Sequence, residues 1–181
     1  MVGEEIISIG VIGIQGAVSE HVSMMEQVFL SSNINGTVEM IRPSDSLEDV
    51  DGVILPGGES TTISRLLLSS GLFFELRQRA KDKTLAIMGT CAGCVLLSSE
   101  LGNTEEKVDI LELIPMRVQR NGYGRQKESF EHHLDISKLN GSNTQEFPGV
   151  FIRAPVVEEV WGKKTTVLAV DTLNRPVIVK Q

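Results

Sequence analysis

The sequence holds two cysteines, and one of them stands where a thiol can do chemistry. Cys91 lies in residues 84–97, TLAIMGTCAGCVLL, between an apolar β-favouring run that ends at Met88 and a helix-compatible run from Cys94 to Leu97. Gly89 and Gly93 flank it at two residues on either side, which makes G-x-C-x-G, the thiol form of a nucleophile elbow. A side chain held on a tight strand-to-helix turn leaves no room for bulky neighbours, and small flanking residues meet that demand. At a helix start the thiol faces unpaired backbone N–H groups and the positive end of the helix dipole, which favour thiolate over thiol. The chemistry expected is nucleophilic attack by sulfur. The plain alternative is a small buried apolar residue, the usual fate of a cysteine outside disulfides. Cys94 also completes a C-x-x-C, which in a strand–helix unit can be a redox motif. The Ala-Gly spacer and the G-x-C turn before it favour the elbow.

Other groups could assist. Residues 56–62, PGGESTT, put two glycines ahead of hydroxyl residues, as expected of a loop with exposed backbone N–H groups and a helix N-cap. Such a loop can cradle an anion or an oxyanion. Arg120, Arg125 and Arg153 could each grip a carboxylate in a bidentate fashion. His132 and His133 fall in an alternating piece, so one should face solvent and the other a sheet face. They lack a third ligand at sensible spacing, and no metal site is expected. His21 falls on a helix and reads as structural or interfacial.

These residues need a scaffold, and the pattern supplies one. Residues 6–14, IISIGVIGI, form a continuous apolar run, as in a strand buried on both faces of a parallel sheet. Gln15-Gly16-Ala17 turns into a helix over 18–30, where Val18, Val22, Met25 and Phe29 recur at helical spacing. A second short strand is expected at 37–42 and a third at 53–55, with helices over 63–68 and 71–83, the latter carrying Phe73, Phe74, Leu76 and Ala80. Strands alternating with helices through Leu97 predict a doubly wound, mostly parallel, flavodoxin-like α/β sheet. Ligands of such sheets sit beyond the carboxyl ends of the strands. Gly16, the Gly57-Gly58 loop and Cys91 all follow strand ends, so three turns should converge on one crevice. After Leu101 the pattern changes to short β-like pieces at 110–119, 129–136, 150–152, 166–170 and 177–180. Turn signals stand at Asn121-Gly122, Asn140-Gly141 and Pro148-Gly149. This half reads as an antiparallel extension of the same domain, residues 1–181.

A net charge of −7 argues against nucleic acid or an anionic membrane as partner. No stretch approaches the ~20 apolar residues of a membrane span. The first residues are acidic ahead of the apolar run, the opposite of a signal peptide's basic start. The expected compartment is the cytosol.

Taken together, VIGIQGAVSEH, DGVILPGGESTT, MGTCAG, RNGYGRQ and VFIRAP resemble the glutaminase subunits of two-component pyridoxal 5′-phosphate synthases, in that family's order from Val11 to Pro155. The resemblance implies a triad-type class I glutamine amidotransferase that uses no cofactor. It would hydrolyse L-glutamine to glutamate and pass ammonia to a synthase partner. By motif, Cys91 would be the nucleophile, and Gly57, Gly58 and Glu59 would line the glutamine site. The Gly58 and Ala92 backbone N–H groups would form the oxyanion hole, Arg120, Ile152 and Arg153 would complete the substrate contacts, and Gln15-Gly16 would lie near the partner. The family's histidine belongs to a late Phe-His-Pro-Glu segment, which none of His21, His132 and His133 matches. The resemblance therefore predicts that segment, and the rest of the domain, after Gln181. Cys94 stands where the family usually has an aliphatic residue, and Gly122-Tyr123 where it more often has Ser-Phe. Two other readings compete: a flavodoxin-like elbow-cysteine protein of chaperone, deglycase or peptidase type, and a non-catalytic subunit that docks on a synthase.

Overall fold

The computed structural model describes residues 6–102, 107–140 and 146–181. They divide into two compact units, one of residues 6–97 with 107–113 and the other of the remainder.

The first unit is built on four parallel strands. The apolar run yields β1 (Ile7–Ile12), whose Val11 and Ile12 are fully buried. The predicted helix follows as α1 (Val18–Ser32), which buries Phe29 over Gly36, where any β-carbon would meet the phenyl ring. Asn33 ends α1 in the left-handed region at φ 52°, and Ile34 N–H returns to the Phe29 carbonyl at 3.0 Å. Then come β2 (Gly36–Ile41) and β3 (Gly52–Leu55), the latter buried at every position as a central parallel strand must be.

Two helices, α2 (Ser60–Ser70) and α3 (Leu72–Lys81), meet at Gly71, whose φ of 85° ends one and begins the other. Ile63, Leu67, Leu72, Phe73 and Leu76 form their buried face. Phe74 departs from expectation: it points outward, because only Phe73 and Leu76 share the inward stripe at a spacing of three. β4 (Ala86–Gly89) and the short α4 (Ala92–Leu97) complete the unit, and the sheet order is β2-β1-β3-β4.

Residues 107–113 join this unit rather than opening a strand at 110. Leu111 and Leu113 N–H groups bond the Leu96 and Leu97 carbonyls at 2.7 and 3.1 Å, satisfying the open end of α4.

The second unit contains three small sheets. β5 (Ser98–Leu101) pairs parallel with β6 (Ile114–Gln119), so this half is not wholly antiparallel. After a 3-10 turn at Gln126–Glu128, β7 (Phe130–Asp135) leads through α5 (Ser137–Asn140) to an antiparallel partner, β8 (Glu146–Phe151). Pro148-Gly149 lies inside β8, opposite His133 and His132, and makes no turn; a two-stranded ribbon leaves an open edge where proline's missing N–H costs nothing. The expected turn at Asn140-Gly141 runs into residues outside the described set. β9 (Val156–Val160) pairs with β6, and β10 (Thr166–Val170) pairs with β11 (Pro176–Lys180).

One core cluster of this half is Leu134, Ile136, Phe151 and Ala169, flanked by Tyr123, Ala154, Val177 and Ile178. Beside it stands a polar hub. The Asp171 carboxylate, 1% exposed, accepts hydrogen bonds from Tyr123 Oη, Arg175 Nε and the Leu173 and Arg175 backbone N–H groups at 2.7–2.9 Å. Arg175 also lies 4.3 Å over the Tyr123 ring. Burial alone would raise the Asp171 carboxyl, but the bonds from Tyr123 and Arg175 outweigh it and hold the group at about 2.

Stability from a depressed carboxyl is present above its unfolded pKa and drains away as pH falls toward the folded one. Urea unfolding should therefore show the Asp171 contribution above about pH 4 and lose it toward pH 2. Asp171→Ala should cost about 2–3 kcal/mol at neutral pH, because it removes the charged acceptor shared by half-buried Tyr123 and Arg175, and Tyr123→Phe about 1 kcal/mol.

Candidate active site

Cys91 sits between β4 and α4 with φ 50°, the left-handed region that costs a non-glycine residue on the order of 1–2 kcal/mol. That strain is the signature of a nucleophile elbow, and the residue is exposed rather than sealed in the core. The glycines around it are required sterically. A β-carbon on Gly93 would lie 2.2 Å from the Leu55 carbonyl oxygen, and one on Gly89 would lie 2.5 Å from the Gly93 carbonyl carbon. The turn is further held by Thr90 N–H to Leu55 O at 3.1 Å and by Gly93 N–H to Thr90 O at 2.8 Å.

The loop after β3 comes against this turn. A β-carbon on Gly57 would be 3.3 Å from the Cys91 β-carbon. The loop after β1 meets it too: Ala17 N–H bonds Gly57 O at 3.0 Å, and Gln15 Oε1 accepts from Glu59 N–H at 2.9 Å. Gly16, at φ 103°, could carry no side chain, since its β-carbon would fall 1.9 Å from Gly57 O. Three turns after β1, β3 and β4 thus converge at the carboxyl end of the sheet, as the sequence pattern led one to expect.

Glu59 has a part that residue type alone did not announce. Its carboxylate caps α2, accepting from Thr61 N–H, Thr62 N–H and the Thr62 hydroxyl at 2.9, 2.7 and 2.7 Å. Partial burial pushes this carboxyl up, and the threonine hydrogen bonds more than reverse it, to about 2. The cap is therefore the acid, with Thr61 and Thr62 as donors. Ala92 opens α4 and is buried. Cys94 is pushed up to about 12 by its burial and by the neighbouring Cys91, so it remains a protonated thiol at neutral pH. Of the C-x-x-C pair, only Cys91 is both exposed and on the strained turn.

The remaining expected residues belong to the second unit. Arg120 ends the strand side of the RNGYGRQ segment and is half-buried. Ile152 and Arg153 follow β8, Ile152 exposed and Arg153 at φ 49°. Arg153 lines a shallow concavity with Asn121, Gly124, Arg125 and Gln126, so RNGYGRQ and FIRAP, far apart in sequence, form one surface. Tyr123 N–H to Ala154 O at 3.2 Å ties them. His132 is half-buried and His133 exposed, with Nδ1 3.7 Å from Glu146, as alternation along a strand requires.

Comparison with known proteins decides what this arrangement belongs to. The model of the SNO glutamine amidotransferase family matches residues 11–181. The chain belongs to that family. It is 45% identical to the pyridoxal 5′-phosphate synthase subunit PdxT of Thermococcus onnurineus, over 89% of this chain and 79% of that one. To the PdxT subunit of Pyrococcus furiosus it is 42% identical, over 90% and 80%. Among solved structures, a glutamine amidotransferase superposes with TM-score 0.79 at 37% identity, covering 96% of this chain and 84% of that one. PurLQS from Thermotoga maritima, at 14% identity and TM-score 0.56, shares the fold over 96% and 77%.

Within the amidotransferase family frame, two ties escaped sequence reasoning. One is Gln15 to the Glu59 N–H; the other is His21, whose Nε2 lies 3.0 Å from the Thr90 hydroxyl, one residue before Cys91. The signal for His21 was present in its position four residues after Ala17, the residue that anchors the glycine loop.

Gly93→Ala tests the steric reading of the elbow. Overpacking against the Leu55 carbonyl should cost about 1–3 kcal/mol in urea unfolding and slow iodoacetamide alkylation of Cys91, because the turn can no longer close.

Proposed function

We propose that this chain hydrolyses L-glutamine to L-glutamate and ammonia through a thioester on Cys91, and delivers the ammonia to a pyridoxal 5′-phosphate synthase partner for vitamin B6 synthesis. Family membership and the PdxT relatives support the reaction class and the partner. The single observation that carries the residue-level reading is the exposed Cys91 at φ 50° with Gly57 packed against its β-carbon.

Each step follows from ordinary acyl-transfer chemistry. The Cys91 thiolate attacks the side-chain carboxamide carbon, and the carbonyl oxygen becomes an oxyanion. Backbone N–H groups of Gly58 and Ala92 are the proposed donors to that oxyanion, one from each of the two turns that meet here. One such donor is typically worth about 3 kcal/mol of barrier. Collapse of the tetrahedral intermediate breaks the C–N bond and releases ammonia, leaving a glutamyl thioester that water hydrolyses to glutamate.

Proton transfer needs a histidine. The resemblance assigns it to a Phe-His-Pro-Glu segment, a run that residues 1–181 do not contain. In this reading Gly57, Gly58 and Glu59 line the glutamine site, and the family resemblance assigns further substrate contacts to Arg120, Ile152 and Arg153. Arginines on the RNGYGRQ–FIRAP surface suit the carboxylate of an amino acid. The reaction needs no cofactor. Cys91 and Cys94, unbridged, suit a reducing compartment, and the cytoplasm is the proposed location.

Gln15 separates this reading from the elbow-cysteine proteins that hold the thiol with a carboxylate after the first strand. Here that position carries an amide, and its oxygen is engaged by the Glu59 N–H. Ammonia release from glutamine, measured on the chain in complex with its synthase, should fall by about a thousandfold or more in Cys91→Ala. Retention of activity in that variant would overturn the assignment.

A further inference from the structure

We propose that His21 is a positioning residue for the nucleophile, setting the distance between the Cys91 turn and the glycine loop through its hydrogen bond to Thr90. The proposal rests on the reading of Cys91 as the attacking group. Its basis is the way the first turn of α1 is tied at two points four residues apart, hence on one helix face. At one point Ala17 N–H bonds the Gly57 carbonyl at 3.0 Å, holding the loop that packs on the Cys91 β-carbon. At the other, His21 Nε2 meets Thr90 Oγ1 at 3.0 Å, one residue before Cys91. Either ring tautomer can make this bond, since the hydroxyl both donates and accepts.

Thr90 is then pinned on three sides: its N–H to Leu55 O in β3, its carbonyl to Gly93 N–H in α4, and its side chain to His21 in α1. The first two bonds lie within the strand-to-helix turn and its neighbour strand. Only the third reaches the element that also carries the loop tie. Removing it leaves the elbow formed but lets it shift relative to the glycine loop, and a misplacement of about 1 Å can cost on the order of a hundredfold in rate. A purely structural histidine at this position would alter stability while leaving the reactivity of Cys91 unchanged.

The test compares His21→Ala, His21→Gln and Thr90→Val, together with the double variant His21→Ala/Thr90→Val, in two assays. One is steady-state glutamine hydrolysis by the synthase complex; the other is the rate of Cys91 alkylation by iodoacetamide, read by peptide mapping on the chain. His21→Ala should lower kcat about tenfold with KM within about twofold and slow alkylation in parallel. His21→Gln, whose amide nitrogen can stand where Nε2 does, should restore most of both. Thr90→Val should match His21→Ala, and the double variant should be no worse than either single one. Alkylation and kcat within twofold of wild type in His21→Ala would overturn the proposal, as would losses that multiply in the double variant. If the wild-type complex releases no ammonia, the glutaminase reading fails separately, and the alkylation series still decides the role of His21.

Discussion

The backbone carbonyl of Leu55, at the end of the third strand, is the fixed point of this molecule's chemistry. It accepts the Thr90 N–H at 3.1 Å and leaves so little space beside it that only glycine fits at position 93. One bond and one steric limit thus force the chain leaving β4 to turn at Cys91 rather than continue as strand or begin its helix early. The left-handed backbone of Cys91 is the consequence, and so is the exposure of its sulfur at the sheet's carboxyl end. A rigid parallel strand, buried at every position, gives that carbonyl a location that does not drift.

The loop after β3 makes the arrangement reciprocal. The strand whose carbonyl holds the Cys91 turn continues directly into Gly57, which packs against the Cys91 β-carbon, so the turn and the loop are referred to one structural origin. Glu59 then fixes the far side of the loop by capping α2, and Gln15 holds the Glu59 N–H from the turn after β1. The Gln15 tie is a single hydrogen bond worth on the order of 1 kcal/mol, and the Glu59 cap is three bonds to one carboxylate. Their effect comes from directing several short segments to one place.

Most of the first unit was legible in the sequence because each level agreed with the next. A buried parallel strand needs an unbroken apolar run, an elbow needs small residues two either side of its nucleophile, and both are written plainly at residues 6–14 and 89–93. The helix over 18–30 extends two residues further, to an asparagine that can adopt the left-handed cap. Side-chain roles set by long-range contacts were less legible. Glu59 reads as a polar loop residue until Thr61 and Thr62 are seen to donate to it, and His21 reads as bland until Thr90 lies beside it. The second unit was harder for a related reason. VVEEV breaks alternation with two adjacent glutamates, and it forms β9 because Val156 and Val157 are buried while Glu158 and Glu159 meet Arg117 of β6. Pro148-Gly149 carries a turn signature that cross-strand pairing with His133 and His132 overrides.

The central claim is that the strained, exposed thiol at position 91 forms the covalent bond to substrate. The most direct measurement is acid quenching of the synthase complex during turnover with glutamine, followed by peptide mapping for an acyl adduct. The account predicts a glutamyl group on the peptide sulfur of Cys91, with Cys94 unmodified. Ammonia release without any adduct at Cys91, or an adduct on Cys94 instead, would contradict it.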